Sequence, residues 1–302
     1  MNRNLVRHFF LTSKPYSYAG EVSRGILYSL ILLPDNKILA IYISASISFL
    51  MWLYFNWQSD YIQQDTGRFR PPKLLFLIPL FITLYISFYF GGLEGLFGII
   101  LYALSIILYS YKAKNSILGV LGPFLRLLNG ISLFIAVAFS LRLNITIDAL
   151  FVALIVSLYL AIRNLIGDVR DIKKDKWEFP ARFGGQRTTF LIRLLFLVLF
   201  SLCLFAGVSI VPYFASAIVL ISWILLELLV YKFGYDRSDL WGYVCHRILV
   251  MLVAVFHLAL IYPLYRDYTL YLVIVILILI TQPLYYFLPS KAFPKLRELF
   301  NC

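Results

Sequence analysis

The chain has 302 residues, 62% hydrophobic and 14% charged, with a formal net charge of +12 and a mean hydropathy of +0.86. A soluble domain carries roughly 45–50% apolar and about 25% charged residues, so a water-soluble globular protein is excluded. Nucleic-acid binding is excluded as the source of the basic excess, because that charge sits in short loops between apolar runs, where membrane topology and anionic lipid account for it.

Runs of about 20 apolar residues, enough to cross a ~30 Å hydrocarbon core as helix, recur along the chain. They predict ten helical spans, near 17–34, 37–55, 74–91, 94–111, 117–140, 147–166, 188–210, 213–231, 243–264 and 268–288, the first and ninth being the weakest. Gly91-Gly92 reads as the turn between the third and fourth. The start, MNRNLVRHFFLTSKPYS, lacks the order of a cleaved signal. It is expected to be mature sequence, with no soluble domain before or after the bundle.

Positive charge is retained on the cytoplasmic side. With the N-terminus inside, 19 of the 27 Lys and Arg fall in cytoplasmic segments and only Lys37, Arg142 and Arg266 outside; Arg24, Arg126, Arg163, Arg193 and Arg247 lie in spans or at their ends. This predicts a multi-pass integral membrane protein with both termini in the cytoplasm. Cys203, Cys245 and Cys302 are far apart and lack metal-ligand spacing, so free thiols are expected.

The acids of the cytoplasmic loops are concentrated in two places. FNWQSDYIQQDTGRFRPPK, residues 55–73, follows the second span, and RNLIGDVRDIKKDKWEFPARFGGQR, residues 163–187, follows the sixth. Each opens with Asn and has Asp four residues on, Asn56 with Asp60 and Asn164 with Asp168; each then has trailing Arg and Pro, Arg68, Arg70 and Pro71 in one, Pro180 and Arg182 in the other. Four spans separate them, which suggests one membrane domain over residues 1–302 containing a duplicated four-helix unit.

On a continuous helix Asn164, Asp168, Asp171 and Asp175 would share a stripe roughly 60° wide. Stacked carboxylates repel, and a divalent cation would offset that repulsion. Magnesium suits the site because it takes one or two carboxylates and leaves its other positions to water and phosphate. Lys173, Lys174, Lys176, Arg182 and Arg187 nearby suit a phosphorylated ligand. A salt-bridged helix cap would explain either loop alone; two such clusters on one face favour the cation site.

With these residues in view the chain resembles the UbiA superfamily of intramembrane prenyltransferases. DVRDIKKD, with Asp168, Asp171 and Asp175, is similar to the family's second Asp-rich motif, and WEFPARFGG to the stretch after it, at Pro180 and Gly184. In the first motif Asn56 and Asp60 align, but Trp57 and Gln64 stand where acids are usual and Asp65 comes one place late. LYSYKAKN supplies loose counterparts of a Tyr and Lys element in Tyr109 or Tyr111 and Lys112 or Lys114.

The resemblance implies an all-α polytopic bundle of about nine to ten helices around a central cavity, and a magnesium-dependent transfer of a prenyl group from an allylic prenyl diphosphate. Two magnesium ions would lie on Asn56, Asp60 and Gln64, and on Asn164, Asp168, Asp171 and Asp175. Arg68, Arg70, Lys73, Lys112, Lys114 and Arg182 would stabilise the diphosphate, with Tyr54, Tyr61, Tyr109 and Tyr159 near the helix ends available to the allylic cation. Arg126 and Asn129 lie inside the fifth span, where charge usually faces a cavity or partner; they would meet a phosphate or acidic acceptor if this helix lines the chamber, and otherwise Arg126 would snorkel or pair internally. Glu227, His246 and His257 are expected to be structural. The acceptor is left open among a quinone-type aromatic, a lipid and a phosphorylated polar molecule. Other readings are a terpene cyclase on the same scaffold and a non-catalytic lipid-binding or transport relative.

Overall fold

The computed structural model describes residues 18–63, 75–173, 176–206 and 213–287. Every long element in them is a helix: α1 (Tyr18–Ile31), α2 (Lys37–Gln63), α3 (Leu77–Ser110), the short α4 (Ser116–Val120), α5 (Gly122–Ser140), α6 (Ile147–Arg170), α7 (Phe179–Ala206), α8 (Tyr213–Phe233), α9 (Ser238–Ile261) and α10 (Tyr268–Phe287). Seven of them, α2, α3 and α5–α9, are long and apolar enough to cross a membrane. The protein is an all-helical polytopic bundle.

Local chemistry sets the helix starts. The Asn36 side chain accepts from the Leu39 amide at 3.0 Å to open α2, and Thr146 accepts from the Ala149 amide at 3.2 Å to open α6. Asn115 takes the amides of Ile117 and Leu118 at the head of α4. In α10 the carboxylate of Asp267 receives the Thr269 amide at 2.8 Å.

The 34 residues of α3 would span about 51 Å as a straight rod, far more than a bilayer core. Gly92, at φ 64° and ψ −145°, breaks it, a conformation that costs glycine little and other residues much. Beyond the break the chain folds back: a Cβ on Gly95 would lie 2.3 Å from the Ser87 carbonyl oxygen. The third and fourth expected spans are therefore the two legs of this hairpin.

α5, α6 and α9 are the most buried of the long helices, while α3, α7 and α8 turn large side chains such as Phe81, Tyr85, Phe205 and Tyr231 outward. Lipid is as apolar as leucine, so small residues and interhelical hydrogen bonds must help hold such a bundle. Tyr159 meets Ser222 at 2.6 Å, Ser140 donates to Ser87 at 2.9 Å, and Tyr28 meets Ser157 at 3.2 Å, all buried.

The expected stripe of acids does not form as one helical face. α6 ends at Arg170, and Asp171 is already in the turn that follows, at φ −98° and ψ 9°. Asn164 and Asp168 remain one helical turn apart, whereas Asp175 lies outside the described residues.

Candidate active site

Lys112 organises the end of the bundle where α3 and α6 finish. It sits in the 3-10 turn after α3 and is only 4% exposed. Its ammonium donates to Asp168 Oδ1 at 2.6 Å and lies 2.9 Å from Glu178 Oε1, and it rests over the Tyr109 ring at 4.7 Å. Burial alone would depress the Lys112 ammonium, but the charges of Asp168 and Glu178 outweigh it and hold it well above the usual lysine value.

Glu178 arrives from the far side of the acidic loop, in the bends just before α7. One close contact and one backbone kink flank it. Gly119 lets the Trp177 carbonyl approach so closely that a Cβ would lie 2.1 Å from it, and Gly184, at φ 81°, redirects the chain into the rest of α7. Arg182 stacks on Trp177 at 5.5 Å and is exposed. Sequence reasoning passed over Glu178, although it is the acid two residues before Pro180 in a segment already singled out.

A second ionic group lies deeper. A Cβ on Gly122, the first residue of α5, would be 3.8 Å from Asp168 Oδ2, so Arg126 is one helical turn farther in. On α6, Arg163 precedes Asp168 by five residues, about 7.5 Å along the axis. Glu21 of α1 pairs with Arg24 on its own helix, with Arg126 at 3.1 Å and with Arg163 at 4.0 Å. Arg126 also donates to Asn129, which donates to Ser105, each at 3.1 Å. The guanidinium of Arg163 donates to the Asn164 carbonyl oxygen at 3.0 Å, and the Asn164 amide donates to the Tyr109 hydroxyl at 3.3 Å. Tyr109 thus touches both groups, with Arg126 5.6 Å from its ring. Glu21, Arg24 and Arg163 were also missed as site residues; an acid and a base three apart in the weak first span was the available signal.

The remaining expected residues fall as follows. Asp171 accepts from its neighbour Arg170, which also reaches His246 Nδ1 at 3.3 Å. Asn56 is buried and its amide donates to the Trp52 carbonyl at 2.8 Å. Lys114 is exposed. Asp60 lies in α2, but its side chain, together with Gln64, Arg68, Arg70, Lys73 and Asp175, lies outside the described residues. Glu227 takes a bidentate pair from Arg193, at 2.8 and 2.6 Å, and His257 meets Ser23 at 3.0 Å. Cys203 and Cys245 are free and buried; Cys302 is outside the described residues.

Among the described residues no three His, Cys, Asp or Glu side chains converge on a metal position. Two carboxylates do converge, Asp168 and Glu178, both within contact of one ammonium, and Glu178 Oε2 is buried without a hydrogen-bond partner. Such a pair fits one hard divalent cation that completes its shell with water and phosphate oxygens. Asp171 accepts from Arg170, and the Asn164 side-chain oxygen from Arg163.

No family model and no curated protein matches the sequence. Two solved structures are similar. One, a study of digeranylgeranylglyceryl phosphate synthase in membranes, is 17% identical, with 84% of this chain and 99% of that chain aligned and a TM-score of 0.57. The other, a UbiA homolog from Archaeoglobus fulgidus bound to Cd2+, is 12% identical, with 82% and 98% aligned and a TM-score of 0.55. At such identities the likeness carries the fold: the bundle is UbiA-like over more than four fifths of its length.

Proposed function

We propose that the protein is an intramembrane prenyltransferase that ionises an allylic prenyl diphosphate where Lys112, Asp168 and Glu178 meet, and delivers the allylic group to an acceptor. One observation carries the reading: a buried ammonium shared by two carboxylates at one end of a UbiA-like bundle. In that position charge is fixed before substrate arrives, which is how an enzyme stabilises a departing anion without reorganising.

The carbon–oxygen bond of the allylic ester breaks and its electron pair leaves with the diphosphate. Lys112, held protonated by its neighbours, donates to the diphosphate oxygens. Tyr109 already lies beneath one cation and near another, so its ring face is oriented to receive positive charge from the allylic fragment. The acceptor's nucleophile then bonds to the allylic carbon and loses a proton. The low exposure of Lys112, Asn56 and Tyr109 keeps water from intercepting the cation. A magnesium ion on Asp168 and Glu178 would neutralise part of the diphosphate charge, and Asp60 and Asp175 belong to the same reading. The excess of Lys and Arg in the loops at this end supports a cytoplasmic orientation.

The test is diphosphate release by the full-length protein in lipid nanodiscs, with geranylgeranyl and longer prenyl diphosphates and a panel of acceptors, in magnesium and in EDTA. Release that needs an acceptor and is lost in Asp168→Asn supports transfer. Release of cyclic product without acceptor would mean a cyclase. Tight diphosphate binding with no release would make the protein a non-catalytic relative.

A further inference from the structure

The deeper ionic group holds three guanidiniums and, among the described residues, one paired carboxylate. Glu21, Arg24 and Arg126 are each 1% exposed and Arg163 is 4% exposed. A purely structural cluster needs only as many cations as it has acids, because each unmatched charge taken out of water is costly. Here the described side chains sum to two excess positive charges. The neutral partners, Asn129, Asn164 and Tyr102, position the guanidiniums without cancelling them. Arg24 Nε and Nη1 and Arg126 Nε are buried donors with no partner.

We infer that this group is a binding site for a phosphomonoester dianion carried by the acceptor. The charge count selects the class. A dianion brings the cluster to neutrality, whereas a carboxylate or phosphodiester leaves one charge over. A phosphomonoester brings three oxygens to a group with three unused buried guanidinium donors, on Arg24 and Arg126, beside Arg163, and guanidiniums match phosphate in paired contacts. Glu21 is then the resident counter-ion that keeps the arginines folded and oriented before the ligand binds. Asn129 is a positioning residue for Arg126. The inference rests on the acceptor half of the proposed transfer, and its site is one helical turn from the diphosphate end, with Tyr109 touching both.

The experiment measures binding of radiolabelled inorganic phosphate, at a pH where it is mostly dianionic, to the full-length protein in nanodiscs. Phosphate is expected to bind at least about tenfold more tightly than benzoate, and Arg24→Gln or Arg126→Gln to weaken it about tenfold, the worth of one charged hydrogen bond. Glu21→Gln should strengthen it, a gain that misfolding cannot mimic. Asn129→Ala, which leaves every charge in place, should weaken it a few-fold. Lys112→Gln should abolish prenyl diphosphate turnover while phosphate binding persists; retained binding in a protein that never turns over any prenyl diphosphate would reject the transferase reading alone. Displacement by lysophosphatidic acid at lower concentration than by inorganic phosphate assigns a lipid-borne ligand, and equal or weaker displacement a water-soluble one. Phosphate binding indifferent to Arg24, Arg126 and Glu21 together, or benzoate outcompeting phosphate, would overturn the inference.

Discussion

The two ionic groups joined by Tyr109 use the same kinds of side chain in opposite proportions. Where α3 and α6 finish, one ammonium serves two carboxylates, Asp168 and Glu178; one turn deeper, three guanidiniums serve Glu21. Among the described side chains, the first group is one charge short of cations and the second two charges long. A site of the first kind tolerates an added metal, and one of the second kind an added anion. In the proposed transfer, their stacking along the bundle axis would let a diphosphate and an anionic acceptor be held near each other without either group having to accommodate both.

The comparison breaks most readily at Lys112. Replacing it by Met leaves two buried carboxylates facing each other, and removing one partner of a buried pair costs about 3–5 kcal/mol. Thermal melting in detergent should show the largest loss of any single change here, and turnover should fall by at least about 100-fold. Adding Glu178→Gln to that variant should recover part of the melting temperature without recovering activity. A Lys112→Met protein as stable as the parent would show that the Lys112 group is not closed as described.

Glu21→Gln probes the other group. It removes the one carboxylate paired with three arginines, and a loss of about 3 kcal/mol is expected, read by the same melts. Bound phosphate should restore much of that loss, because an anion that binds only the folded protein stabilises it by mass action. At Lys112→Met, phosphate should stabilise no more than it stabilises the parent, and that contrast is the sharpest form of the comparison.

A smaller effect separates two acids that the sequence treats alike. Asp168→Asn removes the main partner of Lys112, whereas Asp171 is held by Arg170 beside it. Turnover should therefore fall at least about tenfold more in Asp168→Asn than in Asp171→Asn, one charged hydrogen bond being worth roughly that factor. Equal losses would place Asp171 in the same group as Asp168.

The smallest effect lies at neither group. The Asp267 carboxyl, before α10, is held below the usual aspartate range by the Thr269 amide it accepts. A carboxyl lowered on folding stabilises above its unfolded pKa of about 3.9 and loses that contribution as pH falls through the folded value. Asp267→Ala should lower the melting temperature slightly at pH 7, and the difference should vanish in strong acid.

Much of the fold was legible along the chain. Apolar runs of bilayer length marked the helices, and Gly91-Gly92 marked the return inside α3, because lipid forces backbone groups to bond within their own segment. The acidic segment after α6 stood out because charge in so apolar a chain is scarce. Its internal arrangement was not. A helical stripe through Asp168, Asp171 and Asp175 presumes that α6 continues, but the helix stops at Arg170, and Asp171 turns to its neighbour. Nor could spacing find Glu178, which reaches Lys112 across 66 residues of sequence, or Glu21, which reaches Arg126 across 105.

By itself, then, the sequence determined that this is a many-helix membrane protein with a concentration of acids and bases after α6. Those properties follow from composition and local periodicity, which each segment carries alone. Only the tertiary structure decided how charge is apportioned: which carboxylates share Lys112, and which arginines are left in excess around Glu21. Pairing in a medium of low dielectric depends on which side chains packing brings within a few ångströms, and residues so distant in sequence acquire that relation only when the helices assemble.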